Sequence, residues 1–383
     1  LNIDFCAQIG YDTICKPIGR GTGMKESYSV VLLFGGVSSE HDISCMSAQT
    51  FMNAMEADGG YTVYPVYIDR EGAWFLYEGD KRALRQAPLE EYRTPVAILP
   101  GLGKDCFLLL GDEGPQSLTV DVVIPVLHGL NGEDGTVQGL LEMARIPYVG
   151  CGVLASALGM DKVYTKKIVA ELGIRQAAFV DLRRGEILDA MDAAVQKVEA
   201  AFAYPVFVKP SRAGSSVGVT KASNRQELMD GLRKAAKEDR RVLVEEFIQG
   251  REVECAVLGG EDPKAANVGE ILAAAEFYDF DAKYVNAESK TVVPADICES
   301  ARQEIRRDAR AIFQAIDGSG LARVDFFIEQ KSGEVIFNEI NTFPGFTNIS
   351  MYPMLWQAEG LSVEEQVREL IQIAIERKPL YGA

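Results

Sequence analysis

Residues 321–353, LARVDFFIEQKSGEVIFNEINTFPGFTNISMYP, place more polar chemistry on an apolar framework than any other stretch of the chain. Two β-rich runs, Leu321–Ile328 and Glu334–Asn341, flank Glu329-Gln330-Lys331-Ser332-Gly333, which reads as a hairpin loop. Side chains alternate along a strand, so Arg323 and Asp325 share one face and Glu339 and Asn341 share one face of the second strand. Folding about Lys331 sets position 325 opposite about 337 and 323 opposite about 339, give or take a residue or two, and the four polar groups cluster. Two carboxylates and an amide oxygen are hard ligands suited to Mg²⁺, which completes its shell with waters and phosphates. With an arginine beside them, the cluster points to phosphoryl transfer. Acidic residues on a hairpin face are most often just a solvated face. Here, however, Asp325 and Glu339 lie inside VDFFI and VIFNEI, where uncompensated carboxylates are costly. The second strand then enters Thr342-Phe343-Pro344-Gly345-Phe346-Thr347, whose glycine lets backbone N–H groups approach a ligand.

A chain of 383 residues, 47% hydrophobic and 25% charged, has room for two or three domains with real cores. No apolar run reaches the roughly 18–20 residues of a membrane span, and no signal peptide with a basic start and apolar centre is visible, so a cytoplasmic location is expected. The seven cysteines are scattered without a C-x-x-C pair, which indicates neither a disulfide framework nor a zinc site. A formal charge of −17 argues against nucleic acid and anionic membranes as partners. An anionic substrate must be held by local lysines, arginines and helix N-termini.

Upstream of the hairpin, residues 1–23 end in Gly19-Arg20-Gly21-Thr22-Gly23 and read as a leader or an appended segment, with Met24 the expected native start. Those glycines resemble a phosphate loop only superficially, since no strand precedes them and no helix follows. Ser29–Phe34 is a buried-strand run, and Gly35-Gly36-Val37-Ser38-Ser39-Glu40-His41-Asp42 turns it into a helix from about Ile43. Further strands fall at Thr62–Ile68 and Asp121–Leu127, the latter leading through His128-Gly129-Leu130-Asn131-Gly132-Glu133-Asp134-Gly135-Thr136 into a helix over Val137–Ala144. Glycine turns at the carboxyl ends of strands are where open α/β sheets bind ligands, which makes Glu40 and His128 site candidates. For His128 a satisfied structural histidine and a functional one stand about even.

A linker at Pro147–Gly152 precedes a helix with Met160-Asp161-Lys162. Tyr204–Pro210 then reads as a strand ending in Lys209, followed by the small loop Ser211-Arg212-Ala213-Gly214-Ser215-Ser216-Val217-Gly218-Val219. Such a loop can fold over phosphates while the lysine meets an oxygen. Val242–Ile248 ends at Gln249-Gly250, and Glu252 begins another strand, a crossing that suits an adenine slot or simply an exposed strand end. Phe277–Pro294 lacks a clean period and reads as a long functional loop or lid, whereas Ser300–Ile316 and Val363–Glu376 are amphipathic packing helices.

In order along the chain, FGGVSSEHDIS, HGLNGEDGTVQG, MDK, VFVKPSRAGSSVGV, EEFIQGREVE, FYDFDAKY, LARVDFF and NEINTFPGFTNISMYP resemble the D-alanine–D-alanine ligases of the ATP-grasp superfamily, from about residue 30 to 353. The resemblance implies an α/β (α+β) ATP-grasp fold. Residues 24–150 would form an N-terminal open α/β substrate domain, 151–248 a central ATP-grasp domain, and 249–383 a C-terminal one with a lid at 277–294. It implies ATP phosphates on Lys162, Lys209 and the loop of Gly214, Ser215 and Ser216, with adenosine at Glu245, Glu246, Phe247, Ile248 and Glu252, and Asn338 near the nucleotide. Asp325, Glu339 and Asn341 would hold two Mg²⁺ ions, with Mn²⁺ as a substitute and K⁺ as a possible further requirement. Glu40 would take the ammonium of the first D-alanine, with His128 near its carboxylate. Arg323 and the Gly345 N–H would stabilise oxyanion charge. Lys283 and Ser350 would face phosphate and the second carboxylate, with Met351 as a wall of that pocket. Ser215, Glu40 and Tyr284 would link the lid to the N-terminal domain.

The implied activity is ATP-dependent, ADP-forming ligation of two D-alanines through a D-alanyl phosphate, for peptidoglycan precursors, by a homodimer. A D-Ala–D-Ser or D-Ala–D-lactate ligase is the alternative within the superfamily, and a non-catalytic nucleotide-binding protein the alternative outside it. The intact set Lys209, Arg323, Asp325, Glu339 and Asn341 argues against the latter.

Overall fold

The computed structural model describes residues 27–86, 93–214, 217–272 and 290–377 and builds them around three sheets. The first comprises β1 (Tyr28–Gly35), β2 (Tyr61–Ile68), β3 (Trp74–Tyr77), β4 (Arg93–Ile98), β5 (Phe107–Gly111), β6 (Gly114–Leu118) and β7 (Val122–Val126), in the order β6-β5-β4-β3-β2-β1-β7. β1 pairs in parallel with β2 and with β7, so its VVLLF run is buried on both faces, as its unbroken hydrophobicity demands. The antiparallel extension from β3 to β6 escaped the sequence reading. Its strands are only four to six residues long and partly exposed, with no sustained alternation to reveal them.

β1 and β7 end side by side, so the turns after them open at one edge of the sheet. The first leads into helix α1 (His41–Asp58) and the second toward α2 (Thr136–Ala144). Gly35 has φ +89°, and a Cβ there would lie 2.3 Å from the Ile68 carbonyl oxygen, so the turn after β1 accepts only glycine.

The second sheet holds β8 (Phe179–Arg183), β9 (Val206–Pro210), β10 (Thr220–Ala222) and β11 (Arg241–Glu246), ordered β10-β9-β11-β8. The third holds β12 (Gly250–Gly259), β13 (Lys264–Leu272), β14 (Lys290–Val292), β15 (Gly320–Glu329) and β16 (Val335–Asn341), ordered β14-β13-β12-β15-β16. Helices α3 (Val153–Met160) and α4 (Lys162–Glu171) send Ala155 and Val169 into the core of this third sheet, together with the helix Glu299–Ala315.

The hairpin of β15 and β16 forms as the alternation required, with one instructive change of register. Phe326 pairs with Phe337 and Phe327 with Ile336, but then Asp325 pairs with Glu339 and Arg323 with Asn341, because Asn338 is the extra residue of a bulge. Continued without the bulge, the pairing would set Asp325 against Asn338 and Arg323 against Ile340, and the acids would part. The bulge restores the common face.

The first and third sheets share a core. Phe34, Phe51 and Met55 meet Ala256, Leu258, Phe343, Phe346 and Tyr352, and the helices Met351–Ala358 and Val363–Glu376 fill the space between. Phe51 stacks on Phe346 with centroids 4.4 Å apart. Burying one such ring contributes roughly 1.5–3 kcal/mol. That packing brings the turn after β16 against the turns after β1 and β7.

Candidate active site

Every described residue of the sequence-read site lines one cavity of about 400 Å³: Glu40, His128, Lys162, Lys209, Gly214, Glu245, Glu246, Phe247, Ile248, Glu252, Arg323, Asp325, Asn338, Glu339, Asn341, Gly345, Ser350 and Met351. Ser215, Ser216, Lys283, Tyr284 and lid residues 277–289 lie outside the described residues, as do residues 1–23.

The hairpin forms the acidic wall. Arg323 donates from Nε and from its terminal nitrogen to the two oxygens of Asp325, both at 2.7 Å, and its Nε lies 3.0 Å from Glu254. Asn341 Nδ2 donates to Asp325 at 3.1 Å. Glu254 was not foreseen, although it follows Glu252 by one alternation on β12. The antiparallel register sets Glu254 beside Asp325 and Asp325 beside Glu339, a row of acids across three strands. Among the described residues no three His, Cys, Asp or Glu side chains converge as a closed metal cage. Two carboxylates and an amide oxygen, with no thiolate or imidazole, suit a hard divalent ion that keeps room for phosphate oxygens.

Lysines meet this wall from the neighbouring elements. Lys162 opens α4, whose N-cap Asp161 accepts from Tyr164 N. Its Nζ donates to the Ala213 carbonyl at 3.1 Å and lies 3.3 Å from Glu339, tying the loop after β9 to β16. Lys209 lies 2.6 Å from Glu245, and Lys166, missed in the sequence, lies 2.6 Å from the other oxygen of the same carboxylate. Burial pushes the Glu245 carboxyl up, but the two ammonium groups outweigh it and bring it down to about 2. Lys166 is pulled below the ordinary lysine value by its deep burial despite Glu245. Lys209 is opposed by burial but held above it by Glu245, Glu339 and Glu252. With both oxygens engaged by lysines, Glu245 supports the cavity electrostatically. Glu246 is likewise engaged, accepting from Ala178 N at 2.8 Å.

The first sheet supplies the third wall. Glu40, only 8% exposed, reaches past two glycines: a Cβ at Gly129 or Gly214 would lie 2.6 or 2.7 Å from its Oε2. His128 is buried, with Nδ1 3.1 Å from the Phe343 carbonyl and Nε2 3.1 Å from Ser47 Oγ. A carbonyl can only accept, so Nδ1 carries the proton, and the Ser47 hydroxyl donates to Nε2 while accepting from Phe346 N at 3.1 Å. Burial holds the ring below the usual histidine range, against the pull of Glu40 and the Phe343 carbonyl, and so keeps it neutral at pH 7. His128 thus has the satisfied structural role and still faces the cavity.

Glu133, absent from the sequence-read site though it sits in HGLNGEDG, accepts from Gly129 N at 2.7 Å and from Phe343 N at 3.3 Å. Burial, then the negative charge of Glu40, push its carboxyl up to about 8, against the two amides and Arg323. Ser350 Oγ accepts from Thr347 N at 3.0 Å, and Met351 is packed so close to β13 that a Cβ on Gly269 would lie 2.4 Å from its sulfur.

Carboxylates, lysines and an arginine thus converge on one cavity from three sheets, in a chain that resembles known proteins along most of its length. The family description "D-ala D-ala ligase N-terminus" matches residues 29–151, and "D-ala D-ala ligase C-terminus" matches residues 168–372. The D-alanine–D-alanine ligase of Acetivibrio thermocellus is 48% identical over 367 residues, covering 92% of this chain and 97% of that protein. That of Bacillus cytotoxicus is 45% identical, covering 90% and 95%. Among solved structures, the D-alanine–D-alanine ligase of Coxiella burnetii matches with a TM-score of 0.82 at 35% identity, covering 92% of this chain and 95% of that one. The VanG D-Ala:D-Ser ligase of Enterococcus faecalis also matches at 0.82, with 38% identity and coverage of 91% and 99%. The chain belongs to the D-alanine–D-alanine ligase family of ADP-forming, ATP-grasp ligases.

Proposed function

We propose that the residues gathered in this cavity carry out the family's reaction, ATP-dependent joining of two D-alanines for peptidoglycan precursors. The observation that carries the proposal is the convergence of Glu40, Lys209, Arg323, Asp325 and Glu339 on one cavity from elements far apart in sequence. A carboxylate oxygen leaves poorly, so one D-alanine carboxylate first takes the γ-phosphoryl of ATP, releasing ADP, and the neutral amine of the second attacks that carbonyl, expelling phosphate and losing a proton. Glu40 holds the ammonium of the first D-alanine as its counter-charge, with His128 as a neutral neighbour of its carboxylate. Lys162 and Lys209 bind nucleotide phosphates. Arg323 and the Gly345 N–H stabilise oxyanion charge as the carbonyl becomes tetrahedral. Residues 246–248 and Glu252 take the adenosine, whereas Glu245, expected there too, has its two oxygens held by Lys166 and Lys209 and contributes through them. Asp325, Glu339 and Asn341 would hold two Mg²⁺ ions, which when bound neutralise charge on the phosphates. Water would destroy the acyl phosphate, so the 277–294 segment, with Lys283 and Tyr284, is assigned as the closing lid.

The division at 24–150, 151–248 and 249–383, the homodimer and the cytoplasmic location are part of the same reading, with K⁺ as an optional further ion. The location is supported by the finding that no helix among the described residues is long and apolar enough to cross a membrane. The D-Ala–D-Ser reading competes because of the likeness to the Enterococcus enzyme. Incubating the chain with ATP, Mg²⁺ and equal D-alanine, D-serine and D-lactate across pH 6–9, with mass spectrometry of products, separates the two. D-Ala–D-Ala is expected, and predominant D-Ala–D-Ser would overturn the substrate assignment. ADP formation should be abolished in a folded Glu339→Gln variant, and near-normal turnover would refute the metal site.

A further inference from the structure

Lys166 enters the reading above only as a partner of Glu245, yet its setting calls for a role of its own. Lys162 and Lys166 stand one helical turn apart on α4. Lys162 reaches the cavity, whereas Lys166 is 1% exposed, with Nζ 5.8 Å from the Phe179 ring centroid and 2.6 Å from Glu245 Oε1. The other oxygen of Glu245 is 2.6 Å from Lys209 Nζ. Lys209 already pairs with Glu245, although Glu339 and Glu252 also act on it. Burying a second lysine against the same carboxylate is costly and exceeds what that one pair requires.

We propose that Lys166 is a positioning residue for nucleotide binding: by occupying one oxygen of Glu245 it leaves the row Lys166–Glu245–Lys209 with one net positive charge and keeps the Lys209 ammonium turned to the cavity. The observations are two. Lys209 is the partly exposed member of the row, its side chain 16% accessible against 2% for Lys166, so the surplus charge is presented where Lys209 lines the cavity. Lys166 is also anchored from behind, 3.5 Å from the Ala177 carbonyl, which fixes the carboxylate it holds. Without Lys166, Glu245 and Lys209 form a neutral pair beside Glu339 and Glu252, and an anionic phosphate meets one positive charge fewer. In a chain of charge −17, that local surplus matters to a polyanion.

The inference rests on the ATP-binding reading, and calorimetric titration of the whole chain with ATP and Mg²⁺ tests the two separately. Lys166→Met should weaken ATP binding by about 10- to 100-fold, the loss expected for removing a unit charge near a phosphate in a partly buried site. Lys166→Met combined with Glu245→Gln removes a matched pair of charges and restores the surplus on Lys209. It should bind ATP at least about fivefold more tightly than Lys166→Met alone, a rescue that a purely structural lysine would not show. ATP affinity of folded Lys166→Met equal to wild type, or a folded double variant no tighter than the single, overturns the proposal. If Lys166→Met does not fold, the double variant decides: affinity within about tenfold of wild type is expected, and a greater loss overturns it. Wild-type chain that binds no ATP would instead refute the nucleotide reading itself.

Discussion

Glu133 and Glu245 line the same cavity, one from the first sheet's turn before α2 and the other from β11. Glu245 is buried and Glu133 half-buried, and desolvation alone would raise both. Glu245 has two lysine ammonium groups at 2.6 Å and is held down to about 2. Glu133 has two backbone amides, with Glu40 adding repulsion, and rises to about 8. Two amide hydrogen bonds do not replace a counter-ion. The difference shows that partners, and not depth, decide which buried acid stays charged at neutral pH. It also gives the cavity one wall where a buried carboxylate is charged and paired with lysines and another where a carboxyl keeps its proton at neutral pH.

The comparison can be broken most forcefully at Glu245. Glu245→Leu leaves the buried Lys166 and the half-buried Lys209 without their carboxylate and should cost about 3–5 kcal/mol, measured by denaturant unfolding. A loss below about 1 kcal/mol would mean the lysines are solvated after all. Next comes the pH dependence. Folded Glu133 keeps its proton up to about 8, while the unfolded carboxyl loses it near the ordinary 4.5. Its contribution is therefore full below 4.5 and lost as pH rises from there to 8, on the order of a few kcal/mol. Glu133→Gln should remove that slope, and an unchanged slope would assign it elsewhere. Glu245 runs the other way, its contribution full above 4.5 and lost as pH falls toward about 2.

Ser47→Ala probes the neutral half. It deprives the His128 ring and Phe346 N of their shared hydroxyl and should cost about 1–2 kcal/mol. A neutral effect would show that the relay is dispensable. Smallest is Asp42→Ala. The Arg70–Asp42 pair is 2.7 Å long, close to the lysine pairs of Glu245, but its side chains are 55% and 71% exposed. Its loss should fall within about 0.5 kcal/mol, so a larger value would break the argument that solvation separates the two classes of pair.

Much of this was legible in the chain. The VVLLF run, the glycine turns after β1 and β7, the helices Glu299–Ala315 and Val363–Glu376, and the β15–β16 hairpin all announce themselves through hydrophobic period and turn residues. The short strands β3 to β6 did not, because half-exposed strands of four to six residues carry too little pattern. Of the residues in and around the cavity, the motif-borne ones are legible in the sequence, while Lys166, Glu133, Glu254 and Ser47 are not. Lys166 could have been suspected from its four-residue spacing to Lys162, and Glu254 from its alternation with Glu252. Ser47 offered no signal, since a serine inside an amphipathic helix is ordinary.

By itself the sequence determined which groups could do chemistry and which elements would carry them, because period, turn type and residue chemistry are local properties. Tertiary structure alone decided their charge and company. The bulge at Asn338 put Asp325 opposite Glu339, and the packing of Phe51 on Phe346 brought the turn after β16 to the first sheet. Helix α4 likewise carried Lys166 to Glu245, 79 positions away along the chain. A carboxylate's ionisation depends on the charges within a few ångströms of it. Those neighbours come from other elements, so no local pattern encodes them.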